Sequence, residues 1–258
     1  MKNKLVIKTL LYYCIISLVA VLVTLSSAVY LYSEKERITT KLGININSDD
    51  KKYAVPEADV YWAKEILKGG YILHFRHAER DKWIDVQKYD VLESDLHDNG
   101  LDESRYAENE YFAQAVCLNA RGKIQARAMG EHIVHIGLPI SYVVSSVSCR
   151  ARQTAELAFG GYQAQNRLLV HAGPYNEGNE DRTEKLKKFY SSLQVSSEGN
   201  VIVSAHNSVV KDNMFENSVS DLYLEEGGFY VISLRDGKLY LEHEFHYFKD
   251  FMRIFYER

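Results

Sequence analysis

Three cysteines in 258 residues are too few for a disulfide framework. Cys14 belongs to an apolar N-terminal run, so Cys117 and Cys149 are the one pair open to the rest of the chain, and no metal-type CxxC spacing occurs. Charge of one sign is scarce as well. A net charge of -4, a pI near 6.2 and the lack of a strong basic patch argue against nucleic acid as a partner. Internal repeats and low-complexity segments are missing, and with 46% apolar residues the composition fits neither a disordered nor a fibrous class. What remains is one domain of roughly 200 residues with a well-filled core.

The first feature present is at the N-terminus. After Lys2, Lys4 and Lys8, residues 9–32 read TLLYYCIISLVAVLVTLSSAVYLY without a charge. About 20 apolar residues cross a bilayer as a helix, so residues 1–32 are expected to meet the membrane, as an uncleaved signal anchor or as a signal peptide cut after Ser26-Ser27-Ala28. Continuation of the apolar run through Val29 to Tyr32 favours the anchor. A short basic leader stays cytoplasmic, which puts the globular part outside the cytoplasmic membrane. Residues 33–55 are polar and weakly periodic and read as a linker, and 56–258 form the folded domain.

Within that domain, strand and helix patterns alternate. Tyr71 to Phe75 suits a buried strand opened by Gly69-Gly70. From Asn119, apolar residues at Ala126, Met129, Ile133 and Ile136 predict a helix closed by Gly137 and Pro139. Tyr142–Val144 is a second strand, leading through Ser145-Ser146 into a helix that stops at Gly160-Gly161. Leu168–Val170 is expected as a strand, Leu186, Phe189, Tyr190 and Leu193 mark a third helix, and Val201–Val203 is a further strand. Phe229–Leu234 and Leu239–Phe245 flank Asp236-Gly237, which suits a tight hairpin. The fold expected is α/β with three layers, α/β/α, around a mainly parallel sheet with an antiparallel C-terminal hairpin.

In such sheets functional residues gather beyond the carboxyl ends of the strands. There the chain places Arg76, His77 and Arg80 after the first strand, Arg150 and Arg152 after the second, and His206 after the Val201 strand. An Arg-His pair taken alone is most often a solvated turn. A cluster of cations from three strands asks for an anion, and guanidinium forks match phosphate oxygens in a bidentate way. Cationic neighbours keep a histidine neutral, with a lone pair free to attack phosphorus and form a covalent intermediate. The leaving alkoxide then needs a carboxylic acid. HAGPYNEGNED offers Glu177, Glu180 and Asp181; Glu177 is preferred because a loop residue is freer to face a pocket, with Glu180 kept as the alternative.

FRHAER (75–80), SSVSCRARQTAEL (145–157) and VIVSAHN (201–207) resemble the signatures of the histidine phosphatase superfamily, with its phosphoglycerate mutase-like fold, and CLNARGKIQARAMG (117–130) resembles the helix that follows the first signature. The resemblance implies His77 as nucleophile, Arg76, Arg80 and Arg150 as phosphate ligands, and His206 as the second pocket histidine. Within the family the leader, FRHAER, AHN and the DGKLYLEHEF hairpin look most similar to periplasmic lipopolysaccharide core heptose phosphate phosphatases. Mutase members carry a serine and an asparagine soon after the first signature, where this chain has Asp81, Lys82 and Trp83, which argues against mutase activity.

Residues 81–116 carry ten Asp or Glu against three Lys or Arg. They read as a solvated loop, or as an acidic lid whose Trp83, Tyr89, Tyr106, Tyr111 and Phe112 stack on sugar faces. The expected activity is metal-independent phosphomonoester hydrolysis, with no cofactor, on a phosphorylated small molecule or glycan. A silent phosphoglycan-binding module and a phosphatase of phosphoproteins are the alternatives. His132/His135 and His243/His246 read as structural pairs rather than metal ligands.

Overall fold

The computed structural model describes residues 55–81, 116–170 and 179–256, together with Val21, Thr24 and Ser26, which are helical. The chain divides into two units, Met1–Ala54 and Val55–Arg258. Apart from those three residues and Val55 the anchor and linker segments lie outside the described residues, as do 82–115 of the acidic insert and Glu177. Among the described residues, no helix is long and apolar enough to cross a membrane.

The second unit is built on six strands: β1 (Ile72–Arg76), β2 (Ile140–Ser146), β3 (Ala164–Asn166), β4 (Asn200–Ala205), β5 (Phe229–Arg235) and β6 (Lys238–Phe245). Their order across the sheet is β3-β2-β4-β1-β5-β6. The first three neighbouring pairs are parallel, while β1 with β5 and β5 with β6 are antiparallel. The expected mainly parallel sheet with its C-terminal hairpin is therefore present. Asp236 and Gly237 turn the hairpin with φ of 51° and 74°, the left-handed pair that a two-residue turn between twisted strands requires.

The helices are α1 (Glu57–Ile66), α2 (Ala120–Ile136), α3 (Cys149–Phe159), α4 (Asn179–Ser192) and α5 (Phe248–Tyr256). Alternation along β1 sorts them between two faces. Leu73 and Phe75 pack in a core with Ala63 and Ile66 of α1, Met129 and Ile133 of α2, Ala155 of α3 and Phe251 of α5. Ile72 joins a second core with Leu186 and Tyr190 of α4, Val201 and Val203. The aromatic centre of the first core stacks Phe75 on Phe229 at 4.5 Å between ring centroids, with Phe245 at 4.8 Å from Phe229. Each fully buried Phe contributes about 1.5–3 kcal/mol relative to exposure. β4 is buried along its whole length, as a central parallel strand must be.

The periodicity expected of α2 is met: Ala126, Met129 and Ile133 are buried, and Asn119 Oδ1 accepts from Gly122 N at 2.7 Å to cap the helix. Leu168–Val170 is not a strand. The third parallel strand is Ala164–Asn166, and Arg167–Leu169 is a 3-10 turn, because Asn166 Oδ1 accepts from Leu168 N at 2.9 Å and turns the backbone at once. His246 also lies past the end of β6.

Candidate active site

The site grows from the carboxyl ends of β1, β2 and β4. Residues 76–78 are held by their backbone on both sides. His77 N donates to Ala205 O at 3.0 Å, Arg76 N to Gly228 O at 3.0 Å, and Gly227 N to Arg76 O at 3.2 Å. On the α3 side, Ala78 N donates to Thr154 Oγ1 at 2.9 Å, and that hydroxyl donates to Arg150 O at 2.8 Å. The turn after β1 is thereby fastened to the helix that bears Arg150.

His77 is buried, and its Nδ1 lies 2.7 Å from Ala78 O. A carbonyl only accepts, so Nδ1 carries the proton and Nε2 keeps its lone pair. Burial holds the imidazole well below its ordinary pKa, Arg150 adds to that, the Ala78 carbonyl opposes it, and Arg76 and Arg80 contribute further. The sequence pointed to the arginines as the cause of neutrality; in the fold, desolvation is the larger one. His206 faces His77 edge to face at 5.2 Å between ring centroids. Its Nε2 lies 3.0 Å from Ser148 Oγ and 3.2 Å from Ser146 Oγ, so β2 and the turn into α3 orient this ring.

The arginines differ in setting. Arg150, 1% exposed in the first turn of α3, directs Nη1 toward Val116 O at 3.4 Å. Arg80 donates to Asp81 O at 2.9 Å. Arg76 donates to Leu224 O, lies 3.8 Å from Glu226 and stands 5.7 Å over the ring of Tyr223. It therefore also anchors the loop that leads into β5. Arg152, the other arginine of this helix, donates through Nε to Val147 O at 3.0 Å. Three strands thus bring His77, His206 and Arg150 together, with Arg76 and Arg80 beside His77. Glu180 stands in the first turn of α4.

Several groups here were not singled out in the sequence. Ser146 and Ser148 were legible only as a serine-rich strand end. His74 is fully buried in β1; Nε2 donates to His206 O at 3.0 Å, and Nδ1 accepts from Tyr190 Oη at 2.6 Å. Cys117 and Cys149, a pair the sequence left open, are joined in a disulfide with Cα atoms 4.8 Å apart. The other histidine pairs pack structurally: His132 and His135 flank Tyr256, and His243 lies 2.9 Å from Asp59 Oδ1. Among the described residues, no group of three or more His, Cys, Asp or Glu is arranged to hold a metal ion.

The family model described as "Histidine phosphatase superfamily (branch 1)" matches residues 103–173. The superfamily that the motifs resemble is thus the one whose model the chain matches. That stretch contains Arg150 and the serines before it but neither His77 nor His206. None of the curated proteins matches the chain. Similar solved structures include the protein histidine phosphatase SixA complexed with tungstate, at 14% identity over 67% of this chain and 95% of that one, with a TM-score of 0.44. A putative alpha-ribazole-5'-P phosphatase from Escherichia coli matches at 16% identity over 67% of this chain and 94% of that one, with a TM-score of 0.43. The putative phosphohistidine phosphatase SixA from Agrobacterium tumefaciens matches at 16% identity over 68% and 97%, with a TM-score of 0.39.

Proposed function

We propose that this chain, which resembles the histidine phosphatase superfamily in its motifs and matches that family's model over residues 103–173, hydrolyses phosphomonoesters through a phosphohistidine at His77. One observation carries the reading. The Nδ1 proton of His77 is committed to Ala78 O in a buried setting that disfavours imidazolium, which leaves Nε2 as a neutral nucleophile among Arg150, Arg76 and Arg80.

In the first step Nε2 bonds to phosphorus as the ester P–O bond breaks. The arginines hold the equatorial oxygens in line, and the leaving alkoxide takes a proton from a carboxylic acid, Glu177 or, as the alternative, Glu180. In the second step water attacks phosphorus, the P–N bond breaks, and the carboxylate accepts the water's proton. His206, oriented by Ser146 and Ser148, stands across from the nucleophile to donate to the phosphoryl oxygens. Every role is filled by a side chain of this protein, without metal or cofactor.

We assign the substrate to sugar phosphates or envelope-glycan phosphates, such as lipopolysaccharide core heptose phosphate. Three features support this: the leader and hairpin look like those of periplasmic phosphatases, the 81–116 segment is acidic, and a disulfide fits an oxidising compartment. By the same reasoning the domain works outside the cytoplasmic membrane, held by residues 9–32.

Rapid quenching after addition of a phosphomonoester tests the mechanism. A base-stable, acid-labile phosphoryl group on His77 is expected, and His77→Ala should lower turnover at least about 1,000-fold while inorganic phosphate still binds. Retained turnover in that variant would overturn the role of His77; phosphate binding without turnover in the wild type would instead mark a binding module. Hydrolysis of a panel of sugar phosphates, nucleotides and inositol polyphosphates tests the substrate class, and preference for the polyanions would refute it.

A further inference from the structure

We propose that the Cys117–Cys149 disulfide is a positioning element of the phosphate site, so that tight phosphate binding depends on oxidation of this pair. The inference rests on the phosphatase reading and adds a control to it. Cys149 is the first residue of α3, adjacent to Arg150, and Cys117 stands directly after the acidic segment. Between Val116 and Asn119 the chain forms a strap that touches both cation-bearing elements.

On the α3 side Val116 O accepts from Arg150 Nη1 at 3.4 Å, and Leu118 N donates to Gln153 Oε1 at 2.9 Å. On the β1 side Asn119 N donates to Glu79 O at 3.3 Å, and Asn119 Nδ2 reaches Glu79 Oε1 at 3.1 Å and Asp81 Oδ1 at 3.0 Å. Glu79 and Asp81 flank Arg80. The strap therefore spans from the helix of Arg150 to the turn of Arg80, and the disulfide is its covalent fastening. Val116, whose carbonyl accepts from the Arg150 guanidinium, is the neighbour of Cys117, so the disulfide fixes the strap where it meets that side chain.

Both cysteines are buried, Cys149 fully and Cys117 at 3% exposure, so the bridge is set as the chain folds. Two thiols become one disulfide, and two protons and two electrons pass to a disulfide oxidant, itself reduced to two thiols. In a thiol-rich compartment the pair stays reduced and the strap is not fastened covalently to the start of α3; in an oxidising one the fastening is completed. A phosphatase built this way spares phosphorylated compounds on the reducing side of the membrane. It gains affinity for them where thiols are oxidised.

The full chain, purified oxidised, is compared with Cys117→Ser/Cys149→Ser, using p-nitrophenyl phosphate as substrate and inorganic phosphate as competitor. Loss of positioning is expected to raise KM and the phosphate Ki at least fivefold, with kcat changed by no more than about twofold, in a variant whose circular dichroism remains native at the assay temperature. Unchanged KM and Ki in the folded variant would overturn the proposal. If the double variant does not fold, wild-type protein is reduced after folding and then reoxidised with glutathione disulfide. A reversible rise in Ki supports positioning, whereas unfolding on reduction, or a reduced folded protein with unchanged Ki, assigns the bridge to stability alone. Calorimetry with inorganic phosphate reads the same affinity without turnover, so the bridge is tested even where no phosphohistidine forms.

Discussion

Two histidines three residues apart, one inside β1 and one just past its end, are driven by burial toward the neutral state, and only the second stands among the arginines of the candidate site. His74, on the α4 side of the sheet, has its pKa lowered to about 4 by desolvation, against the opposing pull of the His206 carbonyl. The unfolded chain protonates this residue near pH 6.5, while the folded one does so only near 4. Unfolding therefore takes up a proton throughout that window, so the stabilising contribution is complete above about pH 6.5 and falls as pH drops toward 4. The loss from His74 is on the order of 3 kcal/mol, and His77 acts in the same direction. Urea unfolding at pH 7.5, 5.5 and 4.5 should show the midpoint falling at each step; a flat profile would contradict the assigned environments. His74 also shows what a motif hides. In LHFRHAER it looks like another polar member of a charged run, yet its neighbours are Tyr190 and the His206 backbone, supplied by segments more than a hundred residues away.

At the level of elements, the turn after β1 takes its shape from the start of α2. A Cβ on Gly122 would lie 1.9 Å from Glu79 O and 2.8 Å from Glu79 C, so the helix meets the FRHAER turn with no room for a side chain. Gly122→Ala must push these backbones apart, and overpacking of this kind costs about 1–3 kcal/mol. Thermal melting should record the loss, and KM for a phosphomonoester should rise with it because Arg80 shares the displaced turn. The glycine is plain in the sequence, but the neighbour that demands it is not. The same holds for helices. α2 was legible because its 17 residues carry a capping asparagine and a regular apolar face. By contrast α1 and α5 have only 10 and 9 residues and are held by packing against each other and the sheet; α5 carries Phe248, Phe251, Met252 and Phe255 at helical spacing, a local signal that went unread in so short a segment. At Leu168–Val170 an apolar triplet suggested a strand, and one side-chain bond from Asn166 redirected it. The strand ends that place His77, Arg150 and His206 were legible because a parallel sheet gathers its carboxyl ends at one edge. The residues that orient those groups were not.

For the whole molecule, the decisive fact is where β1 stands. It lies between β4 and β5, with Ile72 paired to Val201 on one side and to Ile232 on the other. A chain ending at residue 226 keeps every residue proposed for the chemistry but loses β5, β6 and α5, and with them Phe229, Phe245 and Phe251 of the core. It is expected to show no cooperative unfolding transition and no phosphomonoester hydrolysis, measured by circular dichroism and steady-state assay; a folded, active truncation would refute this account of the sheet. The position of β1 also sets a schedule. At roughly 5–20 residues per second, synthesis delivers β5 on the order of ten seconds after β1, and pairings this distant in sequence form slowly. The proposed nucleophile is thus made early and seated late. Until the last third of the chain arrives, the nascent protein holds a histidine motif without a site.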